Sequence, residues 1–286
     1  MSANQQRQRF RDILAGAACI SPASVFDPIS ARIAEDLGYE LGMFAGSVAA
    51  LTILGAPDLV LITLSEFAAQ ARRICRAGTL PLLVDADHGY GNALNVMRTV
   101  EELDAAGVAA LTIEDTVLPK AFGGGAPLLS IEEGAGKLRA AVEARADGAI
   151  VVAGRTGALS QTSVSDAIER VRAYQGLGID AMFLSGVQER AQLEAVAEVA
   201  TIPLILGSVP KDMADPAYLA SRGVRIALRG HQPIMAAIQA VYDTMQALRS
   251  EAPNKDALRL ASKELLAQAT RDEQFRRYRK DYLQPG

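Results

Sequence analysis

Asp85, Asp87 and Glu114 are the side chains whose types and spacing most plainly invite chemistry. The two aspartates lie in Asp85-Ala86-Asp87-His88-Gly89-Tyr90-Gly91, directly after the apolar run Leu80–Val84. Glu114 and Asp115 follow the next such run, Ala109–Ile113. Acids gathered at one place repel one another and raise each other's pKa, and a hard divalent cation removes that cost. An all-oxygen donor set suits magnesium, with manganese as a substitute, better than zinc. Magnesium keeps several waters and takes only one or two direct carboxylates, which leaves room for substrate oxygens. The plainer reading of Asp85-x-Asp87 is a helix cap or the partner of a surface Arg. Glu114 at the end of the neighbouring run favours the metal.

Other polar groups fall at equivalent places. Arg155 closes the run Ile150–Ala153 and offers a planar, always charged fork for a substrate carboxylate. Its alternative is a structural pair with Glu114 or Asp115. Ser47, beside Gly46, can give backbone N–H and hydroxyl groups to an anion. His231 follows Val224–Leu228 and can hold a carboxylate or donate a proton, or merely open a helix. His88 can orient a metal-bound group or have no such part. No Lys ends a run, so a Schiff-base route has no carrier. Lys120-Ala121-Phe122-Gly123-Gly124-Gly125 reads as a flap over the site or as an ordinary loop.

These residues need a frame that brings the ends of apolar runs together. Eight runs recur: Ala18–Ile20, Leu41–Phe44, Leu80–Val84, Ala109–Ile113, Ile150–Ala153, Ala181–Leu184, Pro203–Leu206 and Val224–Leu228. They do not alternate with polar residues, which marks strands covered on both faces and therefore parallel. Helical segments lie between them. Thr63 with Glu66, Ser130 with Glu133, and Asn92 supply start signals. Gly78, Gly107, Gly148, Gly178 and Gly223 stand where a helix-ending left-handed residue is wanted. Eight strand–helix units predict an α/β fold of the (β/α)8 TIM-barrel type, whose chemistry sits at the carboxyl ends of the strands. A doubly wound sheet is the alternative, weakened because no GxGxxG follows the first run. The chain reads as one domain over 1–286. A C-terminal helical extension over 251–286 contains helices at Asp256–Ala267 and Arg271–Tyr282.

Composition narrows the partners. The 286 residues are 50% hydrophobic and 22% charged, the balance of an ordinary globular protein. A net charge of -4, no Trp and 5% aromatics argue against nucleic acid. No stretch approaches the ~20 apolar residues of a membrane span, and the polar N-terminus is not a secretory signal, so the expected location is the cytoplasm. Cys19 and Cys75 read as buried free thiols.

Ser47 to Asp58, the Asp85-x-Asp87-x-Gly-x-Gly loop, Glu114-Asp115 and Gly154-Arg155-Thr156 resemble the isocitrate lyase/phosphoenolpyruvate mutase superfamily. The resemblance implies a magnesium-dependent barrel acting on α-oxo or α-hydroxy acids. It also implies a homotetramer, a dimer of dimers, with the last barrel helix exchanged between neighbours. The flap lacks the Cys of the lyases and the longer polar segment of the phosphonate mutases. With His231 after the eighth run, it most resembles the bacterial oxaloacetate decarboxylase branch. By that resemblance Asp85 ligates magnesium, Asp87 and Glu114 hold metal waters, and Ser47, Arg155 and His231 bind substrate.

The implied reaction is loss of carbon dioxide from oxaloacetate through a metal-stabilised pyruvate enolate, which needs neither a nucleophile nor a strong base. Arg155 and Ser47 would fix the α-carboxylate. His231 would contact the departing end, and it or a metal water would protonate C3. The alternatives are a carbon–carbon lyase or aldolase, an oxaloacetate hydrolase, and an inactive binding barrel.

Overall fold

Eight parallel strands pair strictly in sequence order in this computed structural model. It describes residues 2–120, 122–123, 127–146, 150–249 and 258–283. The strands are β1 (Ala23–Ser24), β2 (Gly42–Phe44), β3 (Leu82–Asp85), β4 (Ala110–Glu114), β5 (Val151–Thr156), β6 (Ala181–Leu184), β7 (Leu204–Ser208) and β8 (Val224–Leu228). They are almost wholly buried, as their unbroken Val, Ile, Leu and Ala content requires. Helices follow them: α2 (Pro28–Asp36), α3 (Gly46–Ala49), α4 (Leu64–Cys75), α5 (Ala93–Ala105), α6 (Ile131–Ala144), α7 (Ala158–Gln161), α8 (Val164–Gln175), α9 (Arg190–Ala197) and α10 (Pro216–Ser221). This is the expected (β/α)8 barrel.

The barrel closes through one residue. Ile20 accepts from the Ala227 N–H and donates to the Arg225 carbonyl, both at 2.9 Å. The first run thus contributes a single bridge at Ile20, and β1 lies further on at Ala23–Ser24. Pro22, which has no N–H to give, separates the two. The opposite end is crossed by α1 (Ala3–Ala15). Its buried Arg7 donates to the carbonyls of Val108 at 3.1 Å and Asp104 at 2.8 Å. Arg11 reaches Asp180 at 2.7 Å.

Local signals set the helix ends. Thr63 and Glu66 form the full reciprocal capping box. Ser130 accepts from the Glu133 N–H, without the return bond of a box. Asn92 accepts from Leu94 and Asn95. Gly107, Gly178 and Gly223 take the left-handed conformation expected of them, with φ of 89°, 86° and 77°. Gly78 is not among the glycines with positive φ. It is tied instead to a close approach, since a Cβ there would meet Glu35 Oε2 at 2.1 Å. Gly148 lies outside the described residues.

The chain parts into two compact units, Met1–His231 and Gln232–Gly286. The second holds α11 (Gln232–Leu248), α12 (Lys263–Thr270) and α13 (Asp272–Leu283). Helix α12 begins later than the expected Asp256, because Ser262 accepts the Leu265 N–H at 3.1 Å and sets the start. A left-handed Arg271, φ 59°, separates α12 from α13.

Candidate active site

The register of the sheet assembles the rim. Asp85 lies opposite Thr112, and Glu114 opposite Arg155, which faces Phe183. Three adjacent strands therefore present Asp85, Glu114 and Arg155 side by side. Thr112 Oγ1 donates to Asp85 Oδ1 at 3.0 Å, and the Asp87 N–H donates to the same oxygen at 3.3 Å. Asp87 returns beside them because its backbone is left-handed, φ 47°, and its carbonyl accepts the Glu114 N–H at 2.8 Å. Asp87 and Glu114 are each 8% exposed.

Arg155 is the hub of the acids. Its Nη1 makes a short ion-pair hydrogen bond to Asp85 Oδ2. Its Nε lies 3.1 Å from Glu114 Oε2, and the guanidinium stands 5.3 Å from the centre of the Phe183 ring. Burial opposes the Arg155 charge, but Asp85 and Glu114 outweigh burial and hold its pKa above the usual range. Of the partners read from sequence, Glu114 is met, while Asp115 is taken by Arg170 at 2.8 Å. Asp87 has its pKa pushed up to about 8 by burial, then by Asp85 and Glu114. The Arg155 charge pulls it down. Burial raises Glu114 as well, with Asp85 adding to it and Arg155 opposing.

Ser47 lies in α3, one residue from Gly46, whose Cα faces the Asp87 carboxylate so closely that a Cβ would meet Oδ1 at 2.9 Å. His231 is half-buried, with Nδ1 2.8 Å from Ser24 Oγ. Burial lowers its pKa while the Asp85 charge opposes that shift, so its ring shares the field of the acids. His88 is buried with Nδ1 unpartnered, and burial and then Lys137 push its pKa down to about 4.

One acid on this rim escapes the sequence reading as a site residue. Asp58, in the irregular stretch between a π-turn at Ala50–Leu54 and α4, feels Asp85, Arg155 and Lys120. Its pKa is raised, first by burial. The signal available was its Pro57-Asp58 step soon after the second run. The Gly-rich flap falls partly outside the described residues. Its base is described: Thr116 bridges Leu128, and Val117 donates to the Pro127 carbonyl at 2.8 Å.

The donor chemistry fits a hard divalent ion. The acids are oxygen donors without thiolate, and the buried Asp87 carries repulsion that a cation relieves. Among the described residues no three His, Cys, Asp or Glu side chains close around one point.

Residues 10–249 match the phosphoenolpyruvate phosphomutase family. The chain belongs to this family. It is 56% identical, over all of both chains, to an oxaloacetate decarboxylase of Bradyrhizobium sp. (strain BTAi1 / ATCC BAA-1182). It is 57% identical to the oxaloacetate decarboxylase of Rhodopseudomonas palustris (strain BisB18), over 95% of this chain and 94% of that one. Among solved structures of the phosphomutase family's fold, a phosphonopyruvate hydrolase complexed with oxalate and magnesium superposes with a TM-score of 0.85. That match has 28% identity and covers 99% of this chain and 100% of that one.

Proposed function

We propose that this chain decarboxylates oxaloacetate to pyruvate and carbon dioxide. Full-length identity to oxaloacetate decarboxylases carries the reading. Asp85, Asp87 and Glu114 would hold a divalent ion, magnesium by preference and manganese as substitute. Such an ion supplies a sink for the charge that reaches the C2 oxygen as the C3–C4 bond breaks.

The chain's own groups do the rest. Arg155 and Ser47 receive the α-carboxylate, which fixes the plane of the ketone. His231 meets the distal carboxylate. Because burial lowers its pKa, its ring is neutral at pH 7 and acts there as a hydrogen-bond donor rather than a charged acid. Once carbon dioxide has left, C3 takes one proton, which completes pyruvate.

Assembly follows from the helical unit. Met235, Ile238, Tyr242 and Met245 line one exposed face of α11 at helical spacing. That face supports a homotetramer, a dimer of dimers, in which this helix is exchanged between neighbours. Among the described residues no helix is long and apolar enough to cross a membrane. The proposed location is the cytoplasm.

The test is incubation of the purified chain with magnesium and oxaloacetate. Pyruvate and carbon dioxide should form in equal amounts, well above the rate with magnesium alone, and a chelator should abolish the excess. Oxalate with acetate would identify a hydrolase instead, and turnover that survives chelation would remove the metal from the scheme.

A further inference from the structure

We propose that Arg155 is the resident counter-cation of the acid site: it competes with a divalent ion for Asp85 and Glu114, and ion binding releases it toward the substrate carboxylate. The inference rests on the metal reading above and adds a switch to it.

Arg170 and Arg155 both pair with acids at strand ends, and they are held differently. Arg170 is held by directed bonds from two of its nitrogens. Its Nη1 donates to Asp115 at 2.8 Å and to the Leu129 carbonyl at 3.0 Å, and its Nε donates to Asp166 at 3.0 Å. Its side chain is 7% exposed. Its Nε and Nη1 both have aligned acceptors on other parts of the fold, as a guanidinium with a structural role does.

Arg155 is built differently. It directs one hydrogen bond, to Asp85. Its Nε lies within ion-pair distance of Glu114, yet it is buried without an aligned acceptor. The Glu114 arm is therefore held by charge and not by a directed bond. The side chain keeps 22% of its surface open, and its flat face rests beside Phe183. An apolar ring guides a guanidinium without locking it to one acceptor.

The same two acids are wanted by two cations. Asp85 and Glu114 can satisfy Arg155 or a divalent ion, and like charges sharing a carboxylate in a poorly solvated site repel strongly. Arrival of the ion therefore weakens both contacts of Arg155 at once. The fork then points from the ends of β4 and β5 at the place where a substrate acid must dock. Without the ion, Arg155 prevents Asp85 and the buried Asp87 and Glu114 from facing one another unneutralised. Metal occupancy and substrate recognition become one event.

The experiment reads metal affinity rather than turnover. Free Mn2+ is followed by electron paramagnetic resonance as the full chain is titrated, for wild type, Arg155→Gln and Arg155→Met. Both neutral variants should bind Mn2+ more tightly, by about tenfold or more. Unchanged or weaker binding by folded variants would overturn the proposal. In the wild-type chain, phenylglyoxal labelling of Arg155, mapped by mass spectrometry, should rise several-fold when Mn2+ is added. A flat or falling rate despite measured Mn2+ binding overturns the proposal even if the variants do not fold. Failure of the wild type to bind Mn2+ at all would instead strike the metal reading on which both stand.

Discussion

Ser24 Oγ and His231 Nδ1 lie 2.8 Å apart, which joins β1 to the residue that follows β8. The contact bears on the ring's proton as well as on its position. A neutral imidazole carries its proton on one nitrogen only, and a hydroxyl can serve Nδ1 as donor or as acceptor. A hydroxyl donating to Nδ1 keeps the proton on Nε2, where a substrate carboxylate can accept it. Ser24→Ala should lower kcat/KM for oxaloacetate about three- to tenfold, while stability falls by about 1 kcal/mol. Steady-state kinetics beside thermal melting separate the two effects. Unchanged kcat/KM would mean that Ser24 does not set the ring's proton.

Asp115 anchors the base of the flap. Its Oδ2 accepts from Arg170 at 2.8 Å and from the Tyr174 hydroxyl at 3.0 Å, and its carbonyl accepts the Leu129 N–H at 2.7 Å. Arg170→Met leaves a buried carboxylate without its cation and should cost about 3–5 kcal/mol. Tyr174→Phe removes one donor and should cost about 1 kcal/mol. Urea unfolding of both variants checks the order. Equal small losses would show that Asp115 protonates and needs no cation.

Much of this was readable in advance because burial writes itself into composition. Strands covered on both faces must be apolar throughout, so seven runs landed on β2 to β8 within a few residues. The first did not, because Pro22 interrupts hydrogen bonding and moves β1 to Ala23. Acid types at strand ends drew attention to Asp85, Asp87 and Glu114, although Asp115 at the same strand end serves an ion pair with Arg170. Arg170 gave no such signal. It sits mid-helix, and only the folded barrel brings it across to Asp115. The left-handed backbone at Asp87 was equally hidden, because Asp tolerates that conformation but adopts it at only a small share of positions.

His88 makes stability depend on acidity. Buried beside Lys137, it has a pKa of about 4 in the folded chain, against an ordinary value near 6.5. The unfolded chain therefore binds a proton first as pH falls, and folding loses free energy in that window. His88's share is fully present above pH ~6.5 and drains away toward pH 4, by roughly 2 kcal/mol. His88→Gln cannot titrate. The gap in urea midpoint between wild type and this variant should shift against wild type between pH 7 and pH 4.5. A constant gap would place the imidazole in contact with solvent.

Gly46 tests whether the Asp87 carboxylate must stay where it lies. A Cβ at this position would meet Asp87 Oδ1 at 2.9 Å and Oδ2 at 3.0 Å, so Gly46→Ala pushes the acid away from β2. The backbone itself has no objection, since Gly46 is helical with no positive φ, and Ala favours a helix over Gly by up to about 1 kcal/mol. Stability should thus hold or rise slightly. Metal affinity and kcat/KM should both fall, by about ten- to a hundredfold, because a displaced ligand costs geometry that water cannot restore. Calorimetric titration with Mg2+, run beside oxaloacetate kinetics and thermal melting, reads all three. Loss of activity with intact metal binding would shift the role of this acid from seating the ion to contacting substrate. A lower melting temperature with normal kinetics would show the close approach to be packing alone.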